Sequence, residues 1–127
     1  MKMKLWIDDL RPAPEGYKWA QSVIMAQAII KASEDEACEC YAKAVREFDH
    51  GNEVGFFEWV DKGSKLLCEI IDIDYDAGDY GPPDYIKVLD WLEETGRNYP
   101  IRIHSMNAVG VQNMRRIIER NNWKEVF

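Results

Sequence analysis

No run of about 18 consecutive apolar residues occurs in the sequence, so no transmembrane helix is expected. The first apolar stretch, "LWI", stops at Ile7, too short for a signal peptide. A cytoplasmic location is therefore expected. Cysteine is scarce, with three residues at Cys38, Cys40 and Cys68. The odd count and the Cys38-x-Cys40 spacing fit neither a disulfide framework nor a common zinc pattern. All three are expected to be reduced, Cys68 in a strand and the others on a helix. A basic stripe is also missing. The net charge is −7, and only "MRRIIERNNWK" is locally basic, which argues against general DNA binding. There is no internal repeat and no low-complexity tract. What remains is a chain of 127 residues, 46% of them apolar, enough for one domain with a single core.

Strand and helix patterns alternate along the chain. "MKLWI" (Met3 to Ile7) and "YKWAQS" (Tyr17 to Ser22) read as strands, separated by the proline-rich loop "DDLRPAPEG". Val23 to Ala32 has helical spacing. Ser33-Glu34-Asp35-Glu36 has the form of a capping box that opens a second helix, to about Phe48. "FFEWV" is apolar but short, and "DKGSK" reads as a turn. Leu66 to Asp74 is the third strand. Asp84 to Thr95 carries Tyr85, Val88, Leu89 and Leu92 on one face and is closed by Gly96. "IRIHS" is the fourth strand. Asn107 caps a helix to about Arg120, with Val111, Met114, Ile117 and Ile118 inward. "WKEVF" is either an edge strand or a tail. This order predicts an α/β fold with a mostly parallel sheet of about five strands. The segment at about 33–65 reads as an inserted helical piece within a single domain spanning 1–127.

Ligands of open parallel sheets bind beyond the carboxyl ends of the strands. The first strand ends in Asp8 and Asp9, the third in Asp74 with Asp76 beyond, and the fourth in His104 and Ser105. Two carboxylates about 4 Å apart repel by roughly 4 kcal/mol at an effective dielectric near 20. Either one of them takes up a proton or a cation sits between them, and an all-oxygen, partly open site suits Mg²⁺. Alternatively, Asp8 and Asp9 only start a turn and Asp74 caps the next loop.

Three separated motifs, "WIDDLRP", "DIDYDAGDYG" and "PIRIHSMNAVGVQNMRRIIE", together resemble the cyclic-phosphate-processing receiver-like family, a variant of the response-regulator receiver domain. The resemblance covers about two-thirds of the chain and implies a small three-layer, flavodoxin-like fold. It implies that Asp8 and Asp9 match the Mg²⁺-binding acidic pair and Asp74 the strand-end aspartate that receivers phosphorylate. Ser105 matches the hydroxyl residue that contacts the phosphoryl group. His104 and Asn107 match the "HS-x-N" signature. The implied activity is hydrolysis or binding of cyclic phosphates on nucleotides or RNA ends.

Two departures stand out. The family commonly has His where this chain has Tyr75. Receivers also carry a Lys at the end of the fifth strand, for which Lys124 is a poor substitute. The segment at 33–65 is longer than the family leads one to expect, and "LRPAPEGYK" replaces the usual first helix.

The roles that follow are expectations. Asp8, Asp9 and Asp74 form the metal set. Asp74 and His104 are the catalytic candidates, His104 as general acid or base. Asp74 as a covalent nucleophile ranks below metal ligation. Arg11, Ser105 and Asn107 are the phosphate-binding candidates. Arg11 is also read as a salt-bridge partner that neutralises Asp9, His104 as a structural strand-end His, and Asn107 as a simple cap. His50, beside Asp49 and Glu53, reads as a loop residue rather than a second metal site. Phe56, Phe57 and Trp59 either pack against the sheet edge or the helix after the second strand, stack a base, or mediate self-association. Asp72 lies where the family more often has a small neutral residue. It is expected to face an open sheet surface or to have a basic partner.

The expected function is a metal-dependent phosphoesterase-like domain acting on cyclic or terminal phosphates of nucleotides or RNA, its partner a phosphorylated small molecule or an RNA end. The alternative is a non-catalytic receiver-like module for a phosphorylated ligand or a protein. A phosphoacceptor receiver ranks third.

Overall fold

The structure is a computed structural model that describes residues 2–127. Its elements are β1 (Met3–Ile7), β2 (Tyr17–Ala20), α1 (Val23–Asp49), α2 (Glu53–Leu66), β3 (Cys68–Ile73), α3 (Ile86–Glu94), β4 (Ile101–Ile103), α4 (Ala108–Arg120) and β5 (Glu125–Val126), with a 3-10 turn at Gly78–Tyr80. The five strands form one parallel sheet in the order β2-β1-β3-β4-β5. This is the α/β, receiver-like sheet that the sequence predicts. The chain leaves β1 towards β2 and later returns to β3 on the other side of β1. The loops after β1 and β3 therefore part at the switch point, where open α/β sheets place their ligands.

Alternation along the strands decides which face is covered. Leu5, Ile7, Ile71, Ile73 and Ile101 point one way and are fully buried. They share one core cluster with Ala26 and Ile30 of α1, Val88, Leu89 and Leu92 of α3, and Met114 and Ile118 of α4. Burying each large aliphatic side chain contributes about 1.5–3 kcal/mol. Because one cluster contains all these helices, they lie on one face of the sheet.

The opposite face carries Lys4, Trp6, Tyr17, Trp19, Ile70, Asp72 and Arg102, aligned by the strand register. None of them belongs to the core cluster. The expectation of three layers is thus corrected to a sheet with helices on one side. The physical reason lies in the connections. β1 and β2 are joined by residues 8–16 without a helix. The crossovers β2 to β3, β3 to β4 and β4 to β5 all run in the same direction, so right-handed connections put their helices on the same face.

The segment at 33–65 also differs from its reading as a helix start, a short apolar piece and a turn. A single helix of 27 residues, Val23–Asp49, runs through its first half, capped by Ser22, whose side chain accepts from the Met25 amide. Ser33 is buried inside this helix and its hydroxyl donates to the Ile30 carbonyl at 2.8 Å. Glu34, inside the same pattern, pairs with Arg97 at 2.9 Å. The capping-box pattern is therefore spent on packing. "DKGSK" lies within α2, where Gly63 is buried. α1, about 40 Å long at 1.5 Å per residue, and α2 form a helical hairpin. Phe56 stacks obliquely between Phe48 and Phe57 at 5.5 and 5.2 Å, so the aromatic cluster packs on α1 and not on the sheet edge. The ammonium groups of Lys43 and Lys62 lie 4.6 and 4.9 Å from the Trp59 ring centre. The three cysteines are free, with Cys38 exposed, and burial pushes the Cys68 thiol up to about 12. Among the described residues no helix is long and apolar enough to cross a membrane.

Candidate functional site

β1, β3 and β4 stop level with one another, at Ile7, Ile73 and Ile103. The next residues are Asp8, Asp74 and His104. Sheet hydrogen bonding continues one step into the loops and fixes all three. The Asp8 amide donates to Ala20 O at 3.2 Å, Asp74 to Ile7 O at 2.9 Å, and His104 to Ile73 O at 2.9 Å. The convergence argued from the strand ends is therefore present. Asp8, Asp9 and Asp74 each bring a carboxylate oxygen within 4.8 Å of the others. Asp9 lies against Gly78, whose φ of +54° suits glycine and where a Cβ would collide with the Asp9 carboxylate.

Asp8 is 1% exposed. Its Oδ1 accepts from the amides of Leu10 and Arg11, both at 2.9 Å. Its Oδ2 faces Arg11 Nε and His104 Nε2, also both at 2.9 Å. Burial alone would raise the Asp8 carboxyl; the two amides, His104 and the guanidinium outweigh it and hold the group below its ordinary value. Arg11 also reaches Asp74 Oδ2 at 3.4 Å and the His104 carbonyl at 3.2 Å. Its partners are thus Asp8 and Asp74 and not Asp9, a correction to the sequence reading. Asp9 lies outside the reach of the guanidinium pairing because Arg11 turns back over the first acid of the pair.

His104 is held on both sides. Nδ1 is 2.5 Å from Asp72 Oδ1, and Nε2 faces Asp8. Both nitrogens donate to these carboxylates only when the ring carries two protons. The imidazole lies flat on the Trp6 indole, 3.8 Å between centroids and 6° between planes. Asp72, the register partner of Trp6, is 1% exposed although its face of the sheet carries no helix. It has basic partners in His104 and, at 3.8 Å, Arg102. Of the two alternatives expected for Asp72, the basic partner is the one present, since the carboxylate is buried and paired.

Two more residues join the site that the sequence reading left out. Trp6 Nε1 donates to the Arg11 carbonyl at 2.8 Å and Trp19 Nε1 to the Asp8 carbonyl at 2.7 Å. These bonds tie down the loop after β1. The available signal was strand parity, which places Trp6, Trp19 and Asp72 on one face.

Asn107 caps α4, accepting from the Gly110 amide at 2.9 Å, and its Nδ2 donates to Asp76 at 3.4 Å. Ser105 Oγ accepts from the Asn107 amide at 3.2 Å. Tyr75 leaves the rim. Its ring packs on Gly110, where a Cβ would collide with it, and against the core. Asp84 accepts from the Ala77 amide at 3.3 Å and so braces the loop. Lys124 lines a groove with Lys4 and Pro100, and its carbonyl accepts from Ile101. It is therefore at the opposite end of the strands from the acids. His50 Nδ1 lies 2.6 Å from the Arg46 carbonyl. Among the described residues, the group of acids, His and Cys that could share a metal ion is Asp8, Asp9 and Asp74.

Over residues 3–120 the chain matches the profile of a known family, described as the cyclic-phosphate processing receiver domain. No curated protein and no solved structure matches it.

Proposed function

The chain belongs to the cyclic-phosphate processing receiver family, and from that premise we propose that it is a metal-dependent phosphoesterase-like domain acting on cyclic or terminal phosphates of nucleotides or RNA. One observation carries the reading: Asp8, Asp9 and Asp74 converge at the strand ends within reach of a histidine held on both sides.

The donor set fits a hard divalent cation, since it offers only carboxylate oxygens on a partly open rim. Asp9 and Asp74 would hold Mg²⁺ directly, with Asp8 as the third oxygen donor once Arg11 turns outward. The bound ion would supply positive charge to a phosphoryl oxygen and favour ionisation of a bound water. Arg11, 51% exposed, is free to turn from Asp74 to an incoming phosphate, where its planar fork suits two oxygens. Ser105 and the first amides of α4 offer donors to the same anion. Water adds to phosphorus and gives up a proton to bulk solvent, one ester P–O bond breaks, and the departing alkoxide takes the proton of His104 Nε2, which solvent then replaces. Asp72 holds the other nitrogen and keeps the ring aimed at the rim. The phosphate stays on the opened ester, and water supplies the new oxygen.

A second reading, a non-catalytic module for a phosphorylated ligand, is favoured by Tyr75. Its ring is committed to Gly110, so that position adds no proton-transfer group to the rim. A phosphoacceptor role ranks third, because Lys124 lies at the far end of the sheet.

A calorimetric Mg²⁺ titration tests the shared premise. The wild type should take up the ion and Asp9→Asn should lose most of the affinity. No uptake by the wild type would remove both the hydrolase and the receiver readings.

A further inference from the structure

The sheet face without helices runs without a break into the rim. Tyr17 and Trp19 of β2 lie beside Lys4 and Trp6 of β1, and Ile70 and Arg102 continue the face across β3 and β4. Tyr17 meets Trp6 edge to face at 6.0 Å, Lys4 Nζ is 5.5 Å from the Tyr17 ring centre, and Trp6 lies against His104. Lys4, Tyr17, Ile70 and Lys124 line a groove of about 230 Å³ near the other end of the strands, with Glu69 the acid at its edge.

The charge on this face runs against the chain as a whole. The protein carries −7, yet this face carries Lys4 near the start of the strands and Arg102, half exposed, on β4. The acid among them, Asp72, is buried and lies 3.8 Å from Arg102, with its other oxygen against His104 Nδ1.

We propose that this open face binds a single-stranded oligonucleotide, its bases on the aromatic side chains and its backbone against Lys4 and Arg102. This rests on the phosphoesterase reading for one feature, the placement of the strand's phosphate end at the rim. Aromatic side chains with flanking cations suit a strand of unspecified sequence, because every base has a stackable face. The face differs from a double-helix site, which needs a long basic stripe.

Fluorescence anisotropy on the full chain tests this. The probes are a single-stranded RNA about ten nucleotides long with a 2′,3′-cyclic phosphate end, the same strand with a 3′-hydroxyl, and a 2′,3′-cyclic mononucleotide as competitor. The cyclic-ended strand should bind at least about tenfold tighter than the mononucleotide, and rising salt should weaken it. Tyr17→Ala and Lys4→Glu should each pull that ratio towards one, with melting curves confirming that the variants fold. Equal affinity of strand and mononucleotide for the wild type overturns the proposal, as does a ratio that survives both folded variants. Binding of the 3′-hydroxyl strand without any binding of the mononucleotide would uphold the face and sink the rim reading. Turnover of the mononucleotide without strand binding would do the reverse.

Discussion

Asp72 and His104 meet at 2.5 Å on the uncovered face of the sheet. The contact accounts for a buried acid on a strand that otherwise alternates as its hydrophobic pattern requires. It also gives His104 a fixed ring orientation, with Asp8 on the other nitrogen and Trp6 beneath. Asp72→Ala would leave the ring nitrogen and Arg102 without their shared acceptor. The expected loss is about 1–3 kcal/mol of folding stability, read by urea denaturation. Stability equal to the wild type would show that the pair does not hold the histidine.

Gly110 and Tyr75 form a second dependent pair. Glycine inside a helix normally costs about 1 kcal/mol relative to alanine. At Gly110 the sign should invert, because a Cβ there collides with the Tyr75 ring. Gly110→Ala is expected to destabilise by about 1–3 kcal/mol. Adding Tyr75→Ala should make the second substitution cost much less than it does alone, as expected for residues in contact. Additive costs in the double-mutant cycle would contradict the packing.

The link between α3 and α4 is sensitive to acid. Two charge-assisted bonds from Arg120, both 2.7 Å, and one from Asn121 reach Glu93. They lower its carboxyl from 4.5 to about 2. A depressed carboxyl adds stability that is fully present above the unfolded value and is lost as pH falls through the folded one. The melting temperature of Glu93→Gln should therefore lie below that of the wild type at pH 6. The gap should close as pH falls from 4.5 towards 2. A gap that is constant with pH would mean the pairing is idle.

Much of this fold was legible because local signals and tertiary packing agree. The strands at 3–7 and 101–103, the Asn107 cap and the Gly96 stop all follow from alternation, side-chain acceptors and positive φ. Where they disagree, packing won. The Ser33 hydroxyl bonds within its own helix, so a pattern that starts helices elsewhere lies in the middle of one here. The rim acids could be read from strand ends, since parallel register brings strand ends level. The role of Asp72 could not, because its partner is 32 residues away and only the sheet brings them together. The missing helical layer depends on where the crossovers run, which no local pattern encodes.

The distance of Lys124 from the acids makes a separate prediction. Incubation with acetyl phosphate should leave the intact mass of the wild type unchanged. A stable gain of one phosphoryl group that Asp74→Asn abolishes would restore the phosphoacceptor reading.

The central claim is that the rim opens a cyclic phosphate. Phosphorus NMR of a 2′,3′-cyclic mononucleotide with the protein and Mg²⁺ reads this directly, because ring opening moves the phosphorus resonance. The account predicts conversion by the wild type, at least about 100-fold slower conversion by His104→Ala, and none above background with Asp74→Asn or without Mg²⁺. An unchanged cyclic phosphate signal with wild-type protein shown to bind Mg²⁺ would contradict it.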